Sequence, residues 1–340
     1  MNLPDAGLVM PYPGLRPFRA EDQPLFFGRE AQVGAMLRQL EDHRFVAVVG
    51  SSGSGKSSLV RAGLLPAIQE GFLLGSTSWL SLIFKPGSQP YQRLAHELQR
   101  AIRLDEKEAT STNSPLNADE MSCVPMLRQT DRGLLEALTS SGISPKRNVM
   151  VVVDQFEELF GFRLANASRD VVASRDEAAA FVRMLLRCSS DPEARVWVIL
   201  TMRSDFIGNC EAFLGLPEAV SRSQFLVPRF DRGQMEEAIR RPGEVTDAAF
   251  RPFTFEPGLV NRIINDAGDR PDQLPLLQHA LMRTWKFALK RANGDDTALT
   301  VDEDDYRKAG GIENALSLHA DAAWATIAND ERKAAIARHL

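Results

Sequence analysis

Gly50-Ser51-Ser52-Gly53-Ser54-Gly55-Lys56-Ser57 is a complete GxxxxGK[ST], and no other stretch of the 340 residues narrows the possible folds so far. Its glycines let successive backbone N–H groups curl around an anion, and the helix that follows presents its positive end. Lys56 reaches the β- and γ-phosphates of a nucleotide, the Ser57 hydroxyl is a ligand for Mg²⁺, and Ser58 belongs to the same phosphate-contacting run. Such a loop needs a buried strand before it and a helix after it. Arg44 to Val49 (RFVAVV) is a short β-branched run leading into Gly50, and the residues after Ser57 regain helical character. Upstream, Val33, Met36, Leu37 and Leu40 fall at helical spacing.

A second apolar run ends in acid. Val151-Val152-Val153-Asp154-Gln155-Phe156-Glu157-Glu158 places Asp154 at the carboxyl end of a strand, where open α/β sheets bind ligands and a carboxylate can hold hydrated Mg²⁺. Glu157 or Glu158 then serves as the general base that orients a water. Glu157 is preferred, and the other is a solvated acid at a helix start, where the dipole favours it. Arg203, in VWVILTMRSDF, follows a third apolar strand. If that strand lies between the two motif strands, Arg203 can sense a γ-phosphate; otherwise it simply pairs with Asp205.

Further strands are expected at Trp79 to Phe84 and Gln224 to Val227, and helices at Tyr91 to Ile102 and Ala178 to Cys188. Near-continuously apolar strands alternating with helices specify a parallel sheet covered on both faces. After about Pro228 the strand signals stop. Leu259, Ile263 and Ala267 mark one helix closed by Gly268, and Leu276 to Ala288 mark a longer one. A polar link (RANGDDTALTVDEDD) then leads to a last helical stretch. Pro11 to Glu30, rich in Pro and Gly, is expected to run as an extended strap, and Asp105 to Glu120 as an exposed insertion.

Composition removes several function classes. Hydrophobic residues make up 44% and charged residues 25%, an ordinary balance for a soluble chain with a sizeable core, and the formal charge of −5 recommends neither nucleic acid nor an anionic membrane as partner. Cys123, Cys188 and Cys210 are scattered, without zinc or disulfide spacing, and are expected to be buried thiols. The five histidines form no metal-spaced cluster. No basic start followed by an apolar run opens the chain and no apolar stretch of spanning length occurs, so a cytoplasmic location is expected.

Five segments in order, PYPGLRPF with FFGRE, GSSGSGKSS, VVVDQFEELF, ILTMRSDF and DQLPLLQHAL, make nearly the whole chain resemble the bacterial novel STAND NTPases, signal-transducing P-loop ATPases. The spacing of Asp154, Glu157 and Glu158 is also similar to the acidic cluster of the related NACHT ATPases. The resemblance implies a three-layer αβα P-loop NTPase with strand order 5-1-4-3-2, followed by a helical subdomain and a partial winged helix. The implied boundaries are 1–30 for the strap and adenine-side loop, 31–230 for the P-loop domain, 231–296 for the helical bundle and 297–340 for the start of the winged helix. No strands for a wing follow before Leu340, so this last module is expected to be truncated. By the same likeness Phe27, Gly28 and Arg29 form the adenine-side loop, Arg203 is the sensor, and Pro275 abuts the base. Phe26 and Phe27 could instead be packing anchors at a helix start. Gln273 stands where the family has glycine, so Pro275 could be no more than a first-turn helix proline.

The function so implied is an ATP/ADP switch with slow Mg²⁺-dependent hydrolysis, self-associating when ATP-bound and serving an unidentified sensor or effector, in bacterial defence or stress signalling. The competing expectation is an AAA+-like remodeller or DNA-loading ATPase, with Arg222, Arg229 or Arg232 as an arginine finger. A small-molecule kinase is a third class, disfavoured by the absence of a recognisable acceptor pocket.

Overall fold

Strands and helices alternate through the first two-thirds of the chain, as the apolar runs require. The computed structural model describes residues 9–109, 123–144, 147–163, 169–246, 250–268, 273–292 and 299–327. In chain order the elements are α1 (Glu30–Asp42), β1 (Phe45–Gly50), α2 (Lys56–Ser58), α3 (Leu65–Gln69), β2 (Trp79–Phe84), α4 (Pro90–Ala109), α5 (Val124–Gln129), α6 (Gly133–Ser140), β3 (Asn148–Val153), α7 (Arg169–Ser190), β4 (Val196–Arg203), α8 (Leu216–Arg222) and β5 (Gln224–Leu226). They continue with α9 (Arg232–Arg240), β6 (Phe253–Phe255), α10 (Leu259–Ala267), α11 (Gln273–Ala292), β7 (Leu299–Val301), α12 (Glu303–Ala309) and α13 (Gly311–Ile327).

The chain divides into two compact units. One, the sheet unit, comprises residues 32–51 and 64–228; the other, the helical unit, comprises 1–31, 52–63 and 229–340. In the sheet unit five parallel strands stand in the order β2-β3-β4-β1-β5, the expected 5-1-4-3-2 read from the other edge. Every residue of β1 and β3 is buried, which is why both read as unbroken apolar runs. Tyr91, Leu94, Ala95 and Leu98 of α4 and Ala178, Phe181, Leu185 and Cys188 of α7 bury their helical stripes in the same core. α4 runs on to Ala109, beyond the expected start of the insertion at Asp105; residues 110–120 of that insertion lie outside the described residues. Cys188 and Cys210 are buried thiols and Cys123 is half-buried. Burial pushes Cys188 up to about 12 and Cys210 up to about 11, so both remain thiols at neutral pH.

The helical unit has its own core, built from Tyr12, Ile239, Phe253, Ile263, Leu281, Trp285, Tyr306 and Ile312 among others. Residues expected to form a helical bundle and those expected to open a winged helix thus share one core. Tyr12 anchors the strap, donating its hydroxyl to the Ile239 carbonyl at 2.5 Å. No apolar run marks β6 and β7, which pair in parallel with Phe253 beside Leu299 and Phe255 beside Val301. Strand structure therefore does not stop at Pro228, and the polar link contains β7. Three-residue strands are too short for an alternating pattern to stand out from a loop. The expected absence of a wing concerns residues that, from 328 onward, lie outside those described.

Candidate functional site

In the helical unit the phosphate motif is assembled with the strap and with two helices. Gly53 and Gly55 have φ of +71° and +87°, the left-handed conformation that lets the N–H groups of a nest converge on an anion and that side chains resist. The Ser54 hydroxyl is buried and makes no hydrogen bond among the described residues. The helix opened by Lys56 and Ser57 widens into a π-turn over Leu59–Leu64, directly ahead of Pro66, which has no N–H to give an α-helical ladder. Ser58 accepts the Phe18 N–H at 3.2 Å, so its hydroxyl ties the loop's helix to the strap.

The FFGRE loop is fastened to α9 by shape and to residues flanking that helix by two cation–π contacts. Gly28 has φ of +84°, and a Cβ there would lie 2.5 Å from the Gln234 carbonyl oxygen, so only glycine allows the approach. Arg29, 2% exposed, sets its guanidinium 4.0 Å over the Phe230 ring and donates to the Ser54 carbonyl of the phosphate loop at 3.3 Å. Burial lowers its pKa to about 10, which still leaves it charged at neutral pH. Arg241 lies 4.3 Å over the Phe27 ring and pairs with Glu30 at 3.2 Å. Phe26 packs edge-on against Phe18, a packing anchor as the sequence allowed. Pro275 sits in the first turn of α11, next to Leu274, whose Cδ1 is 3.5 Å from where a Cβ of Gly55 would be. Pro275 is thus a first-turn helix proline.

In the sheet unit Gly50 ends β1 with Ser51 directly after it, and β4 lies between β1 and β3, with Gly50 beside Arg203 and Val153 beside Leu200. This register sets Asp154 next to Thr201. The Asp154 carboxylate is 2% exposed and its Oδ1 accepts the Thr201 hydroxyl at 2.6 Å; the same hydroxyl oxygen accepts the Gln155 N–H at 2.9 Å. Gln155 has φ of +57°, rare for a residue with a side chain and typical of backbone held under constraint at functional sites. Neither Thr201 nor the Gln155 conformation was read from the sequence; a threonine two residues before Arg203 was the available signal.

Glu157 and Glu158 lie on a 3₁₀ turn over Phe156–Arg163. The Glu158 carboxylate accepts the Gly87 N–H at 2.9 Å, so it braces the loop after β2 and is not merely a solvated helix-start acid. Arg203 forms a two-point ion pair with Asp205, at 3.1 and 2.6 Å. The Asp205 carboxylate raises its pKa above the usual arginine value, with Glu157 adding to the effect. Phe27, Gly28, Arg29, Ser52 to Ser58 and Pro275 therefore fall in one unit, and Gly50, Ser51, Asp154, Glu157, Glu158 and Arg203 in the other. In the helical unit a main-chain nest, a lysine and hydroxyl oxygens suit the phosphates of a nucleotide, and in the sheet unit the buried Asp154 carboxylate suits a hard cation. Among the described residues no group of three or more His, Cys, Asp or Glu side chains is arranged to hold a metal.

Residues 11–340 match the family model described as Novel STAND NTPase 1. The chain belongs to that family. Its members are NTPases. A Walker-type ATPase of Pyrococcus abyssi is 20% identical, covering 94% of this chain and 80% of that one with a TM-score of 0.46. The Aeropyrum pernix ORC1 protein in complex with DNA is 16% identical with a TM-score of 0.51, covering 84% of this chain and 65% of that one. The ORC2 protein of the same organism, in ADPNP–ADP complexes, is 16% identical with a TM-score of 0.52, covering 84% and 69%. The two Aeropyrum pernix likenesses are of fold. No curated protein matches the chain. Among the described residues no helix of this NTPase is long and apolar enough to cross a membrane.

Proposed function

We propose that this STAND NTPase is an ATP/ADP signalling switch, with slow Mg²⁺-dependent hydrolysis and self-association in the ATP state. The observation that carries the reading is the position of Arg203 at the end of β4, the strand between the one entering the phosphate loop and the one ending at Asp154, where its present partner is the exposed Asp205. An exposed ion pair is weak because water screens it, so a γ-phosphate with more acceptor oxygens can take the arginine over. Exchange of this kind distinguishes ATP from ADP, and differential affinity of two states for two nucleotides is what a switch requires.

In this reading Gly50 to Ser58 bind phosphate, Phe27, Gly28, Arg29 and Pro275 form the base side, and Ser57 and Asp154 hold Mg²⁺, which when bound neutralises charge on the β- and γ-phosphates. Glu157 orients the water, since Glu158 is committed to Gly87. Sedimentation of the protein loaded with a non-hydrolysable ATP analogue or with ADP tests the proposal. A larger species with the analogue alone, lost in Arg203→Ala, is expected; identical behaviour with both nucleotides would sink it.

The DNA-bound ORC1 neighbour keeps a DNA-loading ATPase as the second reading. Of the candidate finger residues, Arg232 bonds Asn261 and Asn265 at 2.8 and 3.0 Å and Arg222 the Glu218 carbonyl at 3.3 Å, so both have intrachain roles. DNA that raised ATP turnover would favour that second reading.

A further inference from the structure

We infer that Thr201 is the positioning residue for the metal-binding carboxylate, a role that rests on the proposed Mg²⁺–nucleotide chemistry of Asp154. The terminal torsion of an aspartate is soft, so a carboxylate at a strand end does not aim itself. Here one hydroxyl aims it. The Thr201 hydroxyl has a single proton, which goes to Asp154 Oδ1 at 2.6 Å, and its oxygen accepts the Gln155 N–H at 2.9 Å. Both contacts are shielded, with Asp154 2% and Thr201 1% exposed. The β3–β4 register holds the two side chains abreast, and the bond to Gln155 fixes the left-handed peptide, φ +57°, that turns the chain away after Asp154. Thr201 thereby sets the carboxylate plane and pins the backbone behind it. Because it stands two residues before Arg203 on the same strand, any displacement of the tip of β4 is transmitted to Asp154.

Partners that orient metal ligands contribute about 10- to 100-fold to metal affinity when removed. The test is retention of a fluorescent ADP titrated with Mg²⁺, with free Mn²⁺ read by electron paramagnetic resonance as a second, turnover-independent measure. Thr201→Val, which keeps shape and loses the hydroxyl, is expected to hold ADP in EDTA like the wild type but to need about 10- to 100-fold more Mg²⁺ or Mn²⁺ for its metal-dependent gain. Thr201→Ser is expected to restore the wild-type midpoint. If the valine variant does not fold, Thr201→Cys, with its weak S–H donor, replaces it under the same expectation. A Thr201→Val midpoint equal to that of the wild type, or a Thr201→Ser loss as large as that of valine, overturns the role of Thr201 alone. Wild-type retention that ignores the metal overturns both this role and the reading beneath it.

Discussion

Single atoms decide several roles that residue type leaves open. Glu157 and Glu158 are chemically alike, yet Glu158 already accepts the Gly87 N–H. Glu157→Gln is therefore expected to lower single-turnover hydrolysis at least about 100-fold with nucleotide affinity little changed, as removal of a general base does. Glu158→Ala is expected instead to cost about 1–3 kcal/mol of unfolding free energy by leaving that N–H unmatched; quench-flow and urea melts on both variants separate the two roles. Gly28→Ala introduces a methyl group 2.5 Å from the Gln234 carbonyl and adds a left-handed non-glycine residue, a strain of about 1–3 kcal/mol from the backbone alone. A lower urea midpoint and weaker ADP retention should appear together. The glycine loop and the strand ending at Asp154 were legible because their residue types and spacing form a motif local in sequence. Thr201, the Glu158–Gly87 brace and the Arg29–Phe230 stack were not, since each joins residues 47 to 201 positions apart whose proximity exists only once the chain has folded.

Helices and strands were readable in proportion to how far burial constrains them. β3 and β4 are enclosed on both faces and announce themselves as apolar runs, whereas β6 and β7 use three residues each, with an exposed Thr254 and Thr300 at their centres. Histidine pairing between α11 and α13 was equally hidden. His279 Nε2 lies 3.1 Å from His319 Nδ1, the rings stacked with 4.9 Å between centroids. Burial lowers both pKa values below 6.5; for His279 the neighbouring His319 adds to this, and Arg283 and Lys286 act on both. The folded state thus resists protons that the unfolded chain accepts, so stability is full above 6.5 and falls as pH drops through it toward the lowered values. The loss of urea midpoint between about pH 8 and pH 5.5 should be smaller in His279→Gln than in the wild type; an equal loss would remove α11–α13 docking as its source.

For the whole molecule, the family and the P-loop architecture followed from motifs that occur in order along the chain. The grouping of Ser52–Gly63 with the strap and the C-terminal helices did not, because one continuous strand, loop and helix gives no hint in sequence that it belongs to two compact units. A switch whose resting state holds ADP should retain that nucleotide through purification. The most direct test is to denature the freshly purified protein and identify released nucleotide by chromatography, with Lys56→Ala as the blank. Stoichiometric ADP from the wild type and none from the variant is the result expected of a nucleotide-locked switch. Empty protein in both, with rapid ATP turnover by the wild type, would contradict it.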